Sequence, residues 1–205
     1  MIKNIVFDMG KVLVNYEGDR VCRHFMEDEA ERKAVSSAVF DSQEWLFLDM
    51  GLIPEEEALK RMQAHLETDH AREMAALCLK HWHEYNMFPR EDMGELVAWL
   101  KEEGYGIYLC SNASLRLLEC FRTVIPGIEH FDGILFSAEV KCIKPQREMY
   151  GHLFERFHLK PEECFFIDDL SMNVEGARAC GMDGYCFADG DAGRLKEYLS
   201  HLNRN

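Results

Sequence analysis

Six residues in four short segments carry the chemistry open to this chain: Asp8 in IVFDMGKVLV, Ser111 and Asn112 in YLCSNAS, Lys144 in CIKPQ, and Asp168 and Asp169 in FFIDDLSMN. Two or three carboxylates beside a backbone carbonyl form a hard oxygen site of the kind Mg2+ occupies. A serine hydroxyl and backbone N–H groups at a helix start bind phosphate oxygens, and a lysine offsets charge on both a phosphate and an acid cluster. A carboxylate can also attack phosphorus itself, giving an aspartyl-phosphate that water then hydrolyses. Taken singly, each segment has a plainer reading. The aspartates cap turns, Ser111 or Asn112 caps a helix, and Lys144 is a solvated loop lysine. The plain readings leave one thing unexplained, which is that all four segments fall at the same edge of one sheet.

That edge follows from the elements. Residues 5–7 are an apolar run that reads as a buried strand delivering Asp8 at its carboxyl end, where open α/β sheets place their chemistry. Gly10 is read as the residue that lets the chain turn and bring backbone carbonyls close to whatever Asp8 holds. Residues 15–88 contain no convincing strand, and helical periodicity appears over 17–27, 31–40, 54–66 and 71–82. From Pro89 the rhythm alternates. Helices are expected over 91–103, 115–121, 146–157, 173–180 and 191–202, with strands over 106–110, 133–137, 164–168 and 184–187. Strands spaced by helices imply right-handed crossovers and a parallel sheet covered on both faces. The expected organisation is a three-layer, Rossmann-like α/β core over 1–14 and 89–205, with a helical insert over 15–88 lying at the sheet's carboxyl edge.

Composition narrows the partners. With 205 residues, 47% of them hydrophobic, the chain is long enough for one good core and a smaller attached module. Twenty-three basic against 37 acidic residues give a formal net charge of −14, which repels nucleic acid and anionic membranes. A phosphate ester can still bind in a pocket holding one lysine and a metal ion. No basic stretch followed by a long apolar run opens the sequence, and no apolar run approaches membrane-spanning length. The eight cysteines include no C-x-x-C pair, and several sit inside apolar runs. Reduced, buried thiols and a cytoplasmic location are expected.

The motifs IVFDMGKVLV, YLCSNAS, CIKPQREMY and FFIDDLSMNVEGARACGM together resemble those of haloacid dehalogenase-like (HAD) hydrolases, whose cap is inserted at the same point as the helical stretch here. The resemblance implies a phosphatase with Asp8 as nucleophile, Ser111 and Asn112 as phosphate ligands, and Lys144 bridging nucleophile and phosphate. It implies Mg2+ held by Asp8, the Gly10 carbonyl and the Asp168/Asp169 pair, with Asp169 the direct ligand and Asp168 one shell out. Asn173 is implied to steady the metal's water shell. A small phosphorylated metabolite, a sugar phosphate above others, is the implied partner, with the chain acting as a monomer or homodimer.

One departure matters. Most phosphatases of this family carry a second Asp two residues after the nucleophile as general acid and base, and here Gly10 stands there. The sequence resembles a subgroup with F-D-x-G-x-V, which includes bacterial sugar-phosphate phosphatases and, more distantly, the N-terminal phosphatase domain of epoxide hydrolases. Proton donation is worth about 10²–10⁴-fold, so sugar 1-phosphates and aryl phosphates are expected to be cleaved faster than simple alkyl phosphates. Glu17 or an insert residue is a candidate substitute acid. In the segment SQEWLFLDMGLIPEEEA, Trp45, Phe47 and Asp49 are candidate substrate contacts, as is Arg20. Core packing of the aromatics and a surface ion pair for Arg20 are the plainer readings. His81 and His83 point apart on a helix and make a poor metal pair. Cys110 beside Ser111 is expected to be a buried, inert thiol. The alternatives to a phosphatase are a phosphomutase or dehalogenase relative, and a catalytically weak binding protein.

Overall fold

Elements and their order

The computed structural model describes residues 1–203. The chain opens with β1 (Asn4–Phe7) and β2 (Val14–Tyr16), then runs through α1 (Arg20–Phe25), α2 (Glu29–Phe40), α3 (Gln43–Asp49), α4 (Glu55–Ala64) and α5 (Asp69–Tyr85). It returns through β3 (Met87–Pro89) to α6 (Glu91–Glu102), β4 (Gly106–Ser111), α7 (Leu117–Val124), β5 (Gly133–Phe136) and α8 (Ser137–Val140). The last part comprises α9 (Arg147–Phe157), β6 (Cys164–Asp168), α10 (Ser171–Ala179), β7 (Asp183–Cys186) and α11 (Ala192–Ser200).

Five strands form one parallel sheet in the order β5-β4-β1-β6-β7. With β1 at its centre, Phe7 is level with Leu109 of β4 on one side and Ile167 of β6 on the other. The strand order reverses at β1, so the crevice of a doubly wound sheet opens beside Asp8. Alternation along the strands explains the two apolar layers. Ile5, Phe7, Phe165 and Ile167 pack with α6 and α11, whereas Val6, Cys110 and Phe166 pack with Met149, Tyr150 and Leu153 of α9. Burial on both faces is what the near-continuous apolar strands require.

The helices α1–α5 lie between β2 and β3, which pair antiparallel with Val14 opposite Pro89. This two-stranded ribbon is not legible from periodicity, because each strand has only three residues and its partner is over seventy positions away. Helix α3 also lies outside the segments with helical periodicity. Ser42 caps it by accepting from the Trp45 N–H at 3.2 Å, as Asp28 and Thr68 cap α2 and α5. Contacts join the inserted helices to the core. Arg116, just before α7, pairs with Glu55 of α4, and the turn after α3 rests on α8. There Gly51 has φ +62°, and a Cβ built on it would collide with the Ala138 carbonyl oxygen, so only glycine fits. All eight thiols are free among the described residues, and no helix there is long and apolar enough to cross a membrane.

Candidate active site

A buried lysine between two carboxylates

β1 and β6 end side by side and deliver Asp8 and Asp168, the backbone held by the Asp8 N–H donating to the Ile167 carbonyl at 2.9 Å. Lys144 comes in from the loop after α8 and places its ammonium 2.7 Å from Asp8 Oδ1 and 2.7 Å from Asp168 Oδ2. The three side chains are almost fully withdrawn from solvent, at 1%, 11% and 0% exposure for Lys144, Asp8 and Asp168. Burial raises the carboxyl of Asp8 to about 6 against the opposing pull of Lys144, with the charge of Asp168 adding to the rise. The Lys144 ammonium is held charged: burial works against it, and the two facing carboxylates outweigh that effect.

Asp168 and Asp169 are adjacent and do different things. Asp168 accepts from Lys144, from the Leu170 N–H at 2.9 Å, and from the Asn173 amide at 3.0 Å on each oxygen. Asn173 therefore steadies Asp168 directly, and its own carbonyl accepts from the Tyr150 hydroxyl at 2.6 Å. Asp169 is half-buried, and its carboxyl is raised by burial and by the neighbouring Asp168 charge. Asp8, Asp168 and Asp169 each offer an oxygen, and the three oxygens lie within 4.8 Å of one another. One buried ammonium, with Lys11 acting on Asp169 from the cavity lining, still leaves three carboxylates short of positive charge. An all-oxygen donor set of this kind suits a hard divalent cation.

The loop after β4

From sequence, YLCSNAS is expected to run directly into a helix. Instead α7 begins only at Leu117, because the intervening residues use their hydrogen bonds on distant partners. Asn112 donates its amide to the Lys144 carbonyl at 3.1 Å and accepts from the Lys144 N–H at 2.8 Å. It clamps the backbone that carries the lysine, and its side-chain amide is thereby committed away from a phosphate. Ala113 donates its N–H to Ser137 Oγ at 2.9 Å. The same Ser137 hydroxyl donates to the Asp49 carbonyl at the end of α3. Ser111 is 2% exposed and lines the cavity above Asp8.

The cavity and the inserted helices

A cavity of about 270 Å3 joins this floor to the inserted helices. Its outer wall includes Tyr16, Trp45, Asp49, Trp82 and Met87; Trp45 and Trp82 meet edge to face, with ring centroids 5.1 Å apart. Trp45 and Asp49 thus line the cavity that holds Asp8. Arg20 does not. Its guanidinium lies 4.1 Å from the centroid of the Phe88 ring and pairs loosely with Glu17, facing a separate hollow shared with His24 and Tyr85. Glu17 is bound to Arg23 at 2.9 Å and lines that separate hollow, not the cavity holding Asp8. Phe47 is not part of the cavity wall. His81 turns to Glu84 at 3.0 Å. Cys110 is fully buried, and burial pushes its thiol up to about 12.

Gly10 is not the residue that makes this turn. The left-handed residue of this turn is Lys11, at φ 57°, and a Cβ at Gly10 would meet nothing within 4 Å. The glycine is not demanded by the backbone; it leaves open space beside Asp8.

Relatives

A family model described as haloacid dehalogenase-like hydrolase matches residues 2–181. The chain belongs to that family. It is 25% identical over 193 residues to a sesquiterpene phosphatase of Aspergillus oryzae, across 91% of this chain and 90% of that protein. To a D-ribitol-5-phosphate phosphatase of Bacteroides thetaiotaomicron it is 24% identical over 198 residues, covering 90% and 91%. A crystal structure of a family enzyme from Bacteroides thetaiotaomicron, as its magnesium complex, superposes with a TM-score of 0.71 at 25% identity, over 100% of this chain and 99% of that one.

Proposed function

We propose that this protein is a magnesium-dependent phosphatase that hydrolyses a small phosphate monoester, a sugar phosphate above others, through an aspartyl-phosphate on Asp8. The observation that carries this reading is the buried cluster itself, with Asp8 held 2.7 Å from Lys144 and sharing a 4.8 Å neighbourhood with Asp168 and Asp169. The phosphatase relatives and the magnesium complex of the related structure support it. Asp8, the Gly10 carbonyl and Asp169 would hold the cation, with Asp168 behind them fixing Lys144. When bound, Mg2+ supplies charge neutralisation for the phosphoryl oxygens.

The chain's own groups do the rest. Lys144 keeps Asp8 ionised and oriented for attack and draws the phosphoryl oxygens toward it. Ser111 and the amides of its loop receive the remaining oxygens. In the first step an Asp8 oxygen bonds to phosphorus as the bond to the leaving oxygen breaks. In the second, water attacks phosphorus and Asp8 departs as carboxylate. The helices over α1–α5 act as a cap whose aromatic wall, Tyr16, Trp45 and Trp82, presents flat apolar surface to the leaving group and excludes bulk water. A ring or the C–H face of a sugar fits such a wall.

The test is release of p-nitrophenol from p-nitrophenyl phosphate by the purified protein. Activity is expected with Mg2+, none after chelation, and none in Asp8→Asn. A wild type as inert as Asp8→Asn would leave only a binding protein.

A further inference from the structure

The turn that would carry the family's usual proton donor ends in open space at Gly10, yet a phosphatase without a donor is slow on poor leaving groups. Resting on the reading above, we propose that Asp49, at the end of α3 in the cap, is the general acid and base of this enzyme, acting from the wall of the cavity it shares with Asp8.

Four observations converge. First, Asp49 lines the same cavity as Asp8, Ser111 and Lys144, yet it is not one of the three carboxylates whose oxygens cluster within 4.8 Å. In-line displacement puts the leaving oxygen on the far side of phosphorus from the nucleophile, so the donor must stand apart from that cluster. Second, its backbone is anchored. The Asp49 carbonyl accepts from the Ser137 hydroxyl, which also receives the Ala113 N–H at 2.9 Å, and Gly51 seats the following turn on Ala138. The loop proposed to hold phosphate and the proposed donor therefore share one hydroxyl. Third, other groups near the site are engaged elsewhere or less suited. Lys144 holds Asp8 and Asp168, Glu17 holds Arg23 outside the cavity, and burial raises the Tyr16 phenol, making it a weak donor. Fourth, burial holds the Asp49 carboxyl at about 7, with the Ser114 N–H pulling the other way. A group poised there gives and takes a proton at neutral pH.

The titratable groups that share its cavity are Tyr16 on β2, Asp8, Lys11, Lys144 and Asp169. The elements that flank it contribute Trp45, Trp82 and Ser137, which do not titrate in this range. In the first step the Asp49 carboxyl passes its proton to the leaving oxygen as the Asp8–phosphorus bond forms, releasing a neutral alcohol and leaving Asp49 as carboxylate. In the second, that carboxylate takes a proton from the attacking water as the Asp8–phosphorus bond breaks, which restores both groups and releases phosphate. The expectation drawn from Gly10, that alkyl phosphates are poor substrates, then holds only once Asp49 is removed.

The test compares kcat/KM for p-nitrophenyl phosphate, whose phenolate leaves without help, with that for 2-phenylethyl phosphate, whose alkoxide needs a proton. Asp49→Asn is expected to lose about 10²–10⁴-fold on the alkyl ester and less than about 10-fold on the aryl ester. Adding Gly10→Asp to Asp49→Asn is expected to recover part of the alkyl activity, since a Cβ at residue 10 meets nothing within 4 Å. In the wild type, which needs no substitution, the alkyl rate is expected to fall above pH 7 while the aryl rate does not. Equal losses on both esters, or the same alkaline fall for both, would overturn the assignment. Failure of wild type to cleave the aryl ester would instead overturn the phosphatase reading.

Discussion

An acid held in its protonated form by burial should weaken the fold whenever it is forced to ionise, and Asp49 allows the size of that effect to be worked out. Its carboxyl moves from an ordinary 3.8 to about 7 on folding, chiefly by desolvation. Between those values the folded state binds the proton and the unfolded chain does not, so stability falls as pH rises from about 4 to 7 and is flat beyond. Each tenfold change in proton affinity is worth about 1.4 kcal/mol, which sets the penalty of ionised Asp49 at up to about 4 kcal/mol above pH 7. Asp49→Asn keeps the shape and removes the ionisation. The difference between variant and wild type therefore isolates this one group, because Asp8 and Asp169 titrate in both proteins and cancel. Urea unfolding followed by circular dichroism, in the presence of chelator, reads it out. The Asp49→Asn protein should be the more stable by about 1–4 kcal/mol at pH 8.5, and the two should agree within about 0.5 kcal/mol at pH 4. A difference that does not change with pH, or a variant weaker than wild type at high pH, would refute the argument that burial without a charged partner governs this carboxyl.

Lys144→Met leaves Asp8 and Asp168 facing each other without their cation, and is expected to lower stability by about 3–5 kcal/mol in chemical denaturation. Adding Asp8→Asn to it should recover part of that loss, since the two changes act on one buried cluster and do not add. Magnesium at 100 times its dissociation constant should stabilise the wild type by about 2.7 kcal/mol, visible as a rise in melting temperature. Asp169→Asn should abolish most of that rise. Asn112→Ala removes both side-chain bonds to the Lys144 backbone and is expected to lower stability by about 1–3 kcal/mol. It should reduce kcat more than it raises KM, as loss of lysine positioning requires.

Much of this is legible in the residues. The stretch CFFID coincides with β6 from end to end, because a fully buried strand has an unbroken apolar signature and a sharp polar stop. Asp8, Ser111, Lys144 and Asp169 line one cavity, and Asp168 sits buried against Lys144, because the parallel topology puts every strand's carboxyl end on the same edge. What periodicity cannot carry is hydrogen bonding between remote segments. Asn112 looks like a helix cap until its partner proves to be the backbone 32 positions on, and nothing around Ser137 in the sequence marks it out. Its hydroxyl links residues 24 and 88 positions away. Arg20 follows its plainer reading: it pairs with Glu17 at 3.7 Å on the surface, and the ring of Phe88 offers the guanidinium a face.

The glycine at position 10 is best understood together with Asp49, which lines the same cavity. A Cβ at position 10 would meet nothing within 4 Å, so the backbone does not enforce glycine, and the turn's left-handed residue is Lys11 instead. A donor attached to β1 is in place whether or not the cap is seated. A donor attached to α3 is in place only when the Asp49 carbonyl reaches Ser137 and the Gly51 turn rests on Ala138. Moving the acid from core to cap thereby makes protonation of the leaving group conditional on cap docking, the same event that excludes water from the aromatic wall. Under this arrangement a ligand that cannot let the cap seat leaves its alkoxide unprotonated, and selection among phosphate esters rests on the chemical step as much as on binding.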